Sequence, residues 1–331
     1  MAEAETRPFA DLVPEVVLDA VDATGVRCDG RLIALASYEN RVYQVGVEDA
    51  PPLVVKFYRP GRWSDDAIRE EHGFALELES REVPVAAPRA GPAGDTLLVH
   101  HGYRYAVFPR LAGEWPELDD PERRRTMGRF IGRIHAVGAL RTFRHRPALD
   151  VETHGEEPRR WLLEHGVVPP EHQGAYGSRS AEALDAVRES FARVGAVRRI
   201  RLHGDCHLGN VLWGELGPSF VDLDDCRTGP AIQDLWMLLS GDLDERRAQV
   251  ADLVSGYRTF HDLDARELGL VEALRTLRIV HYTAWLARRW DDPAFPVAFP
   301  WFGTDRYWRD HLQALEDQCR AMAEPPLDLY D

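Results

Sequence analysis

The chain has 331 residues, 44% of them hydrophobic and 29% charged, the composition of a soluble globular protein with one large domain or two modest ones rather than of a disordered chain. Forty basic against fifty-five acidic residues give a net charge of −15, which repels a phosphate backbone and argues against nucleic acid as the main partner. No run approaches the roughly 20 apolar residues of a membrane helix, MAEAETRPFADL lacks the basic-then-apolar order of a signal peptide, and four scattered cysteines without a C-x-x-C pair fit reduced thiols, so a cytoplasmic monomer without membrane attachment is expected.

A short helix is expected around 14–21, followed by β-like runs at 31–37, 41–47 and 53–58 that read as an antiparallel meander. Ser64 caps a helix running to about Ser80, with Ala67, Phe74, Ala75 and Leu78 on one face, and two more strands follow at 95–101 and 103–109. Beyond Leu111 the period turns helical. Pro121 opens a helix to about Val137 with Met127, Phe130, Ile131 and Ile134 as its buried stripe. The Pro- and His-rich stretch 144–173 reads as irregular with one short helix. A helix at 181–194 precedes two short strands, 210–213 and 219–222, and helices near 232–239, 245–260, 266–289 and 306–323 complete the chain. The class is α+β, a β-rich lobe (1–110) joined to a mainly helical one (111–331), the outline of a two-lobed phosphotransferase.

The forty basic residues comprise thirty-nine arginines and Lys56. Where one ammonium survives such a bias, and inside the apolar strand LVVKFY, a task for a compact point charge against phosphate is indicated rather than idle surface charge. The densest polar segment is LHGDCHLGN, Leu202 to Asn210, followed by FVDLDD at Phe220 to Asp225. Phosphoryl transfer needs one carboxylate to orient the incoming hydroxyl and accept its proton, and an amide oxygen and a second carboxylate to hold magnesium on the nucleotide phosphates. Asp205, Asn210 and Asp222 supply those groups, and the apolar run before Asp222 is expected to fix it at a strand end.

His203-Gly204-Asp205 through Asn210 resembles the H-G-D-x-H-x-x-N loop of the aminoglycoside phosphotransferase and choline kinase group, relatives of protein kinases. Asp222 resembles the magnesium-binding aspartate of that group, with Leu223 where Phe is usual. Lys56 and Glu71 resemble the strand-lysine and helix-glutamate pair that positions the α- and β-phosphates; Glu70 competes for that role, but Glu71 shares the inward face of Ala67, Ala75 and Leu78. SYENRVYQV at Ser37, VVKFYRPGRW at Val54, HRPAL at His145, FVDLDDCRTGPAIQDLWMLL at Phe220 and ARRWDDPAFPVAFPWF at Ala287 together resemble the stress response kinase A family through nearly the whole chain. That resemblance implies the aminoglycoside phosphotransferase fold, ATP as donor, magnesium, and serine or threonine of a protein as acceptor. Its catalytic residues are then Asp205 and Asp222, its metal ligands Asn210 and Asp222, and its cofactor-binding residues Ser37, Asn40, Lys56, Glu71 and Phe108.

Two departures matter. No glycine-rich loop is present, and SYENR at the first β-turn has to cover the phosphates with side chains or backbone amides. Only twelve residues separate Asp222 from Asp234, too few for a long activation segment, so no phosphorylation switch is expected there; Asp234 is read as the aspartate that braces the catalytic loop.

Competing readings are weaker. Zinc on His203, Asp205, Cys206 and His207 would need a helix face, but two glycines make this segment a loop. A calcium loop at Asp222 to Asp225 lacks its glycine and terminal glutamate, leaving Asp224 and Asp225 for loop amides or a second magnesium. Cys206 reads as a packing residue, His101 and His135 as ordinary strand-end and helix-end histidines, and the aromatics between Tyr282 and Trp308 as core in preference to a cation cage. A small hydroxylated acceptor on the same fold is the alternative enzyme reading. A catalytically dead nucleotide-binding regulator is disfavoured because Lys56, Asp205, Asn210 and Asp222 are all present.

Overall fold

The computed structural model describes residues 8–329. They form two compact units, one running through Pro116 with Arg144–Arg146 and Gly209–Asp224 added, the other holding Glu117–Phe143, Pro147–Leu208 and the chain from Asp225 onward. A division at 110 therefore leaves out a hairpin that returns to the first unit. Among the described residues no helix is long and apolar enough to cross a membrane.

In the first unit α1 (Pro14–Asp22) precedes β1 (Cys28–Ala34), β2 (Arg41–Val47) and β3 (Ala50–Phe57); α2 (Asp65–Ser80), β4 (Leu98–His100) and β5 (Tyr103–Pro109) follow. The five strands make one antiparallel sheet in the order β1-β2-β3-β5-β4. β1 lies three residues earlier than expected because a register shift lets Cys28 pair with Val47. Pro51 and Pro52 are tolerated in β3 because its pairing with β5 starts only at Leu53, so their missing N–H groups face no second neighbour. Alternation along β3 sends Leu53, Val55 and Phe57 to one face, where they pack with Val17, Ala20 and Val21 of α1; Val54 and Lys56 take the other. There Ile68 of α2 packs with Tyr58 and Ala106, and Ser64 caps α2 by accepting from the Ala67 N–H at 3.2 Å.

The chain then enters the second unit with α3 (Pro121–Gly138), a π-helical turn (Glu152–Glu156), α4 (Glu157–Glu164), α5 (Pro170–Val194) and β6 (Arg199–Leu202). α5 starts eleven residues before the expected position. Pro170 opens it at the first turn, where a missing N–H costs nothing, and burial of Tyr176 and Ser180 holds a stretch whose Gly174 and Gly177 argue against a helix. β7 (Val211–Gly214) and β8 (Gly217–Phe220) form the returning hairpin of the first unit, attached there by Glu114 pairing with Trp213 and Val85 with Phe220. The second unit resumes with β9 (Arg227–Pro230), α6 (Gln233–Trp236), α7 (Leu243–Tyr257), a 3₁₀ segment (Ala265–Leu270), α8 (Val271–Ala287), α9 (Ala294–Ala298) and α10 (Asp305–Ala323). α3 and α7 touch backbone to backbone: a Cβ on Gly128 would stand 1.9 Å from the Leu253 carbonyl oxygen, and one on Gly256 1.8 Å from that of Arg125. Only glycine permits that approach. Phe130 lies beside this seam, half-buried under Arg133.

Candidate active site

Within the first unit Lys56 is 5% exposed and Glu71 2%, and the Lys56 Nζ stands 2.7 Å from Glu71 Oε1 and 3.6 Å from both Asp222 Oδ1 and Asp224 Oδ1. Burial works against the ammonium, yet Glu71, with Tyr58, Asp224 and Asp222 behind it, holds the lysine well above its ordinary value. Lys56 is therefore a fixed positive charge at neutral pH. Glu70, one residue and about 100° around the helix, accepts instead from the backbone N–H groups of Arg144, His145 and Arg146 at 2.7, 2.7 and 3.0 Å. Behind the pair, the Tyr58 hydroxyl and His72 Nε2 are 2.7 Å apart, and His72 Nδ1 meets Thr96 Oγ1 at 2.8 Å. Burial pushes His72 down to about 3, so it stays neutral and adds no charge to Lys56.

Asn210 and Asp222 flank the β7–β8 hairpin. Asn210 ends a 3₁₀ turn just before β7, and its carbonyl oxygen accepts from the Val221 N–H at 3.0 Å. β8 stops at Phe220, two residues short of the expected strand end, because the chain turns left-handed at Asp222 with φ of 57°. Aspartate enters that region more readily than most residues. Its side chain stays 52% exposed, open to a ligand while held beside Lys56.

Ser37, Lys56, Glu71, Phe108, Asn210 and Asp222 line one cavity of about 440 Å³, whose other walls include Leu35, Val42, Val54, Leu212 and Val221. An apolar cleft with an ammonium, a carboxylate and an amide at one part of its wall suits a flat heterocycle carrying phosphates. Lys56 could hold the phosphates, and Asn210 and Asp222 a divalent ion. Asn40 is absent from that wall. It is 3% exposed, its Nδ2 donates to Asp224 Oδ2 at 3.1 Å and its Oδ1 accepts from the Arg59 N–H at 3.0 Å, so its side-chain amide is engaged within the protein. Asp224, read for loop amides or a second magnesium, bonds Arg62 and Asn40. Sequence reasoning gave no role to Arg146, which is buried, donates to the Asp224 carbonyl, stacks on Trp63 at 4.2 Å and stands 3.9 Å from Glu71. It lay inside the quoted string HRPAL, but nothing local marks its partners.

In the second unit β6 delivers the Asp205 loop directly after Leu202, and its partner is β9, Ile200 opposite Gly229. Neither strand was expected, although the alternation of RIRL was a four-residue signal. Asp234 braces the loop as anticipated: its Oδ2 accepts from the His203 N–H at 2.7 Å and its Oδ1 from the Gly204 N–H at 2.8 Å. His135 is more than a helix-end histidine. It is fully buried, with Nε2 3.0 Å from Asp234 Oδ2 and Nδ1 2.9 Å from the Tyr257 hydroxyl. Gly204 has φ of 87°, and a Cβ there would lie 2.2 Å from the Asp225 carbonyl oxygen. Asp205, which follows, meets Arg278 Nη1 through Oδ1 at 2.5 Å and His207 Nε2 through Oδ2 at 3.4 Å. Burial would raise its carboxyl; the His207 hydrogen bond and the Arg278 charge outweigh it and hold the group well below the ordinary carboxylate value. Asp205 is thus ionised and able to accept a hydrogen bond at any physiological pH. Arg278 was missed because it lies 73 residues from Asp205.

Cys206 is fully buried and its thiol is pushed far up by that burial, as a packing residue requires. The aromatic cluster divides. Phe295, Phe299, Phe302 and Trp308 are buried, with Trp285 packed against the three phenylalanines; Tyr282, Trp301 and Tyr307 line a recess of about 320 Å³. The carboxylate of that recess, Asp310, is 3.5 Å from Arg306.

Residues 31–270 match the family described as "Phosphotransferase enzyme family". Stress response kinase A of Salmonella choleraesuis is 48% identical over 97% of this chain and 97% of its own length, and the "Serine/threonine protein kinase RdoA" of Salmonella typhimurium is 47% identical over the same shares. Among solved structures, an amicoumacin kinase determined in complex with AMP-PNP and Ca²⁺ superposes with a TM-score of 0.71 at 18% identity, covering 96% of this chain and 95% of that one. With the Lys56–Glu71 pair, the Asn210–Asp222 hairpin and the braced Asp205 loop on the same chain, these matches show a kinase of the phosphotransferase enzyme family, and within it the chain belongs to the stress response kinase A family.

Proposed function

We propose that the chain transfers the γ-phosphoryl group of ATP to serine or threonine hydroxyls of proteins, with magnesium as the metal and the cytoplasm as its setting. The observation that carries this reading is the cavity that gathers Lys56, Glu71, Asn210 and Asp222 on apolar walls, the donor set that a magnesium nucleotide demands. Magnesium, when bound with ATP, neutralises charge that develops on the phosphates. Lys56 holds the donor phosphates as a point charge oriented by Glu71. Asn210 offers an amide oxygen and Asp222 a carboxylate, the hard oxygen ligands such an ion takes. Asp205 orients the acceptor hydroxyl and accepts its proton as the oxygen attacks. Asp234 keeps the Asp205 loop in shape through the two backbone N–H groups it accepts.

A protein acceptor is supported by the near-full-length likeness to a relative named as a serine/threonine protein kinase. The test is to incubate the purified chain with γ-labelled ATP and magnesium, offering generic protein acceptors beside a panel of hydroxylated small molecules. Label on protein serine or threonine is expected. Label confined to small molecules would sink the protein reading, and ATP consumption without any labelled acceptor would sink kinase chemistry on these acceptors.

A further inference from the structure

An acceptor hydroxyl has to come to the Asp205 carboxylate, and a guanidinium already stands there. Arg278, on the second turn of α8, places Nη1 2.5 Å from Oδ1 with its side chain 40% exposed. His207 Nε2 lies 3.4 Å from Oδ2 with its side chain 38% exposed. Nearby, Asp225 and Arg227 pair with each other at 2.6 Å. A hydroxyl bonded to Asp205 at about 2.7 Å cannot lie more than about 5 to 7 Å from the Arg278 guanidinium, inside one Debye length at physiological salt. Whatever surrounds that hydroxyl on the acceptor must therefore be compatible with a partly desolvated cation.

We propose that Arg278 is a specificity-determining residue that selects acceptor hydroxyls flanked by carboxylate or phosphate groups and turns away polycationic acceptors. The inference rests on Asp205 being the base. When the hydroxyl donates to Asp205, the guanidinium loses part of its partner. An anionic neighbour on the acceptor gives its planar fork a second, bidentate one, whereas an ammonium gives it none and adds repulsion. A purely structural Arg278, one that only holds Asp205 in place, would affect all acceptors alike. Selection changes their ranking.

The experiment uses the full chain and two acceptor sets graded by charge. One set is serine peptides flanked by Asp/Glu, by Gln or by Lys/Arg; the other is hydroxylated small molecules that are anionic (sugar phosphates, hydroxy acids), neutral or polycationic (aminoglycosides). Wild type should favour the anionic members by roughly fivefold in kcat/KM, the upper end for a partly exposed ion pair. Arg278→Gln should erase that ranking mainly through acceptor KM, with KM for ATP unchanged. Arg278→Glu should invert it and Arg278→Lys should restore part of it. Should the variants melt well below wild type, inhibition of wild type by polyglutamate and not by polylysine, relieved by salt, is the expected result. A flat or cation-favouring wild-type ranking, or an equal loss across all acceptors in Arg278→Gln, would overturn the proposal. Because the small-molecule arm is independent, an Arg278-dependent preference seen only there would leave this inference standing while removing the protein-acceptor reading.

Discussion

Lys56 carries the sharpest single-residue claim, because the chain uses arginine wherever else it needs a basic side chain and keeps an ammonium at this one buried position. Guanidinium is longer, planar and unable to meet Glu71 at 2.7 Å and two phosphates at once. Lys56→Arg should lower kcat/KM for ATP by about ten- to a hundredfold with the melting temperature within a few degrees of wild type, as steady-state kinetics at varied ATP will show; wild-type kinetics would remove the phosphate role of Lys56. At this scale the sequence was a good guide to which polar side chains come together and a poor one to their supports. Lys56, Glu71, Asn210 and Asp222, which line one cavity, were singled out because phosphoryl transfer calls for those residue types at that spacing. The side-chain partners of Asn40 could not be read, because an amide next to a β-turn looks the same from sequence whether it faces a ligand or, as here, Asp224 and the Arg59 N–H. Arg146 and Arg278 were invisible among thirty-nine arginines, since their partners lie 78 and 73 residues away.

Among elements, those with strong periodicity or caps were legible: β2 and β5 match their expected bounds, and α2 begins after Ser64 as anticipated. β6 and β9 were not, because four-residue strands such as RTGP owe their existence to pairing with each other and not to local preference. α9, set in a stretch with three prolines and read as a loop, forms around the burial of Phe295. The short α6 holds Asp234, and its entry depends on Glu267, whose Oε2 accepts from the Ile232 N–H at 3.0 Å inside the protein. Burial pushes Glu267 up to about 7. A carboxyl whose folded pKa exceeds its unfolded value binds its proton more tightly in the folded state, so its contribution is fully favourable below about pH 4.5 and is lost as pH rises towards 7, roughly 3 kcal/mol in all. Glu267→Gln keeps an acceptor for Ile232 and has no charge to bury. Thermal denaturation should show it several degrees more stable than wild type at pH 8 and nearly equal at pH 5; the same difference at both values would remove Glu267 as the cause.

For the whole molecule, the fold class and two-unit plan follow from the switch between period-2 and helical patterning near residue 111, but the return of β7 and β8 to the first unit does not, since two short strands carry no mark of the sheet they will join. That return is why Asn210 and Asp222 belong with Lys56 in one compact unit while Asp205, five residues before Asn210, belongs to the other. The interval from Asp222 to Asp234 is filled by a 3₁₀ turn, β9 and the start of α6, leaving no length for a regulatory segment, so protein made without any activating kinase should be active and phosphatase treatment should leave its rate within about twofold. A rate abolished by dephosphorylation would contradict this. The central claim is that Asp205 activates the acceptor hydroxyl and that ATP is held independently of it. The most direct measurement is single-turnover phosphoryl transfer by wild type and Asp205→Asn, with ATP affinity and melting temperature determined on the same preparations. An amide cannot take the proton, so the account expects transfer to fall by at least roughly 100-fold at unchanged ATP affinity and stability; transfer within threefold of wild type under those conditions would contradict it.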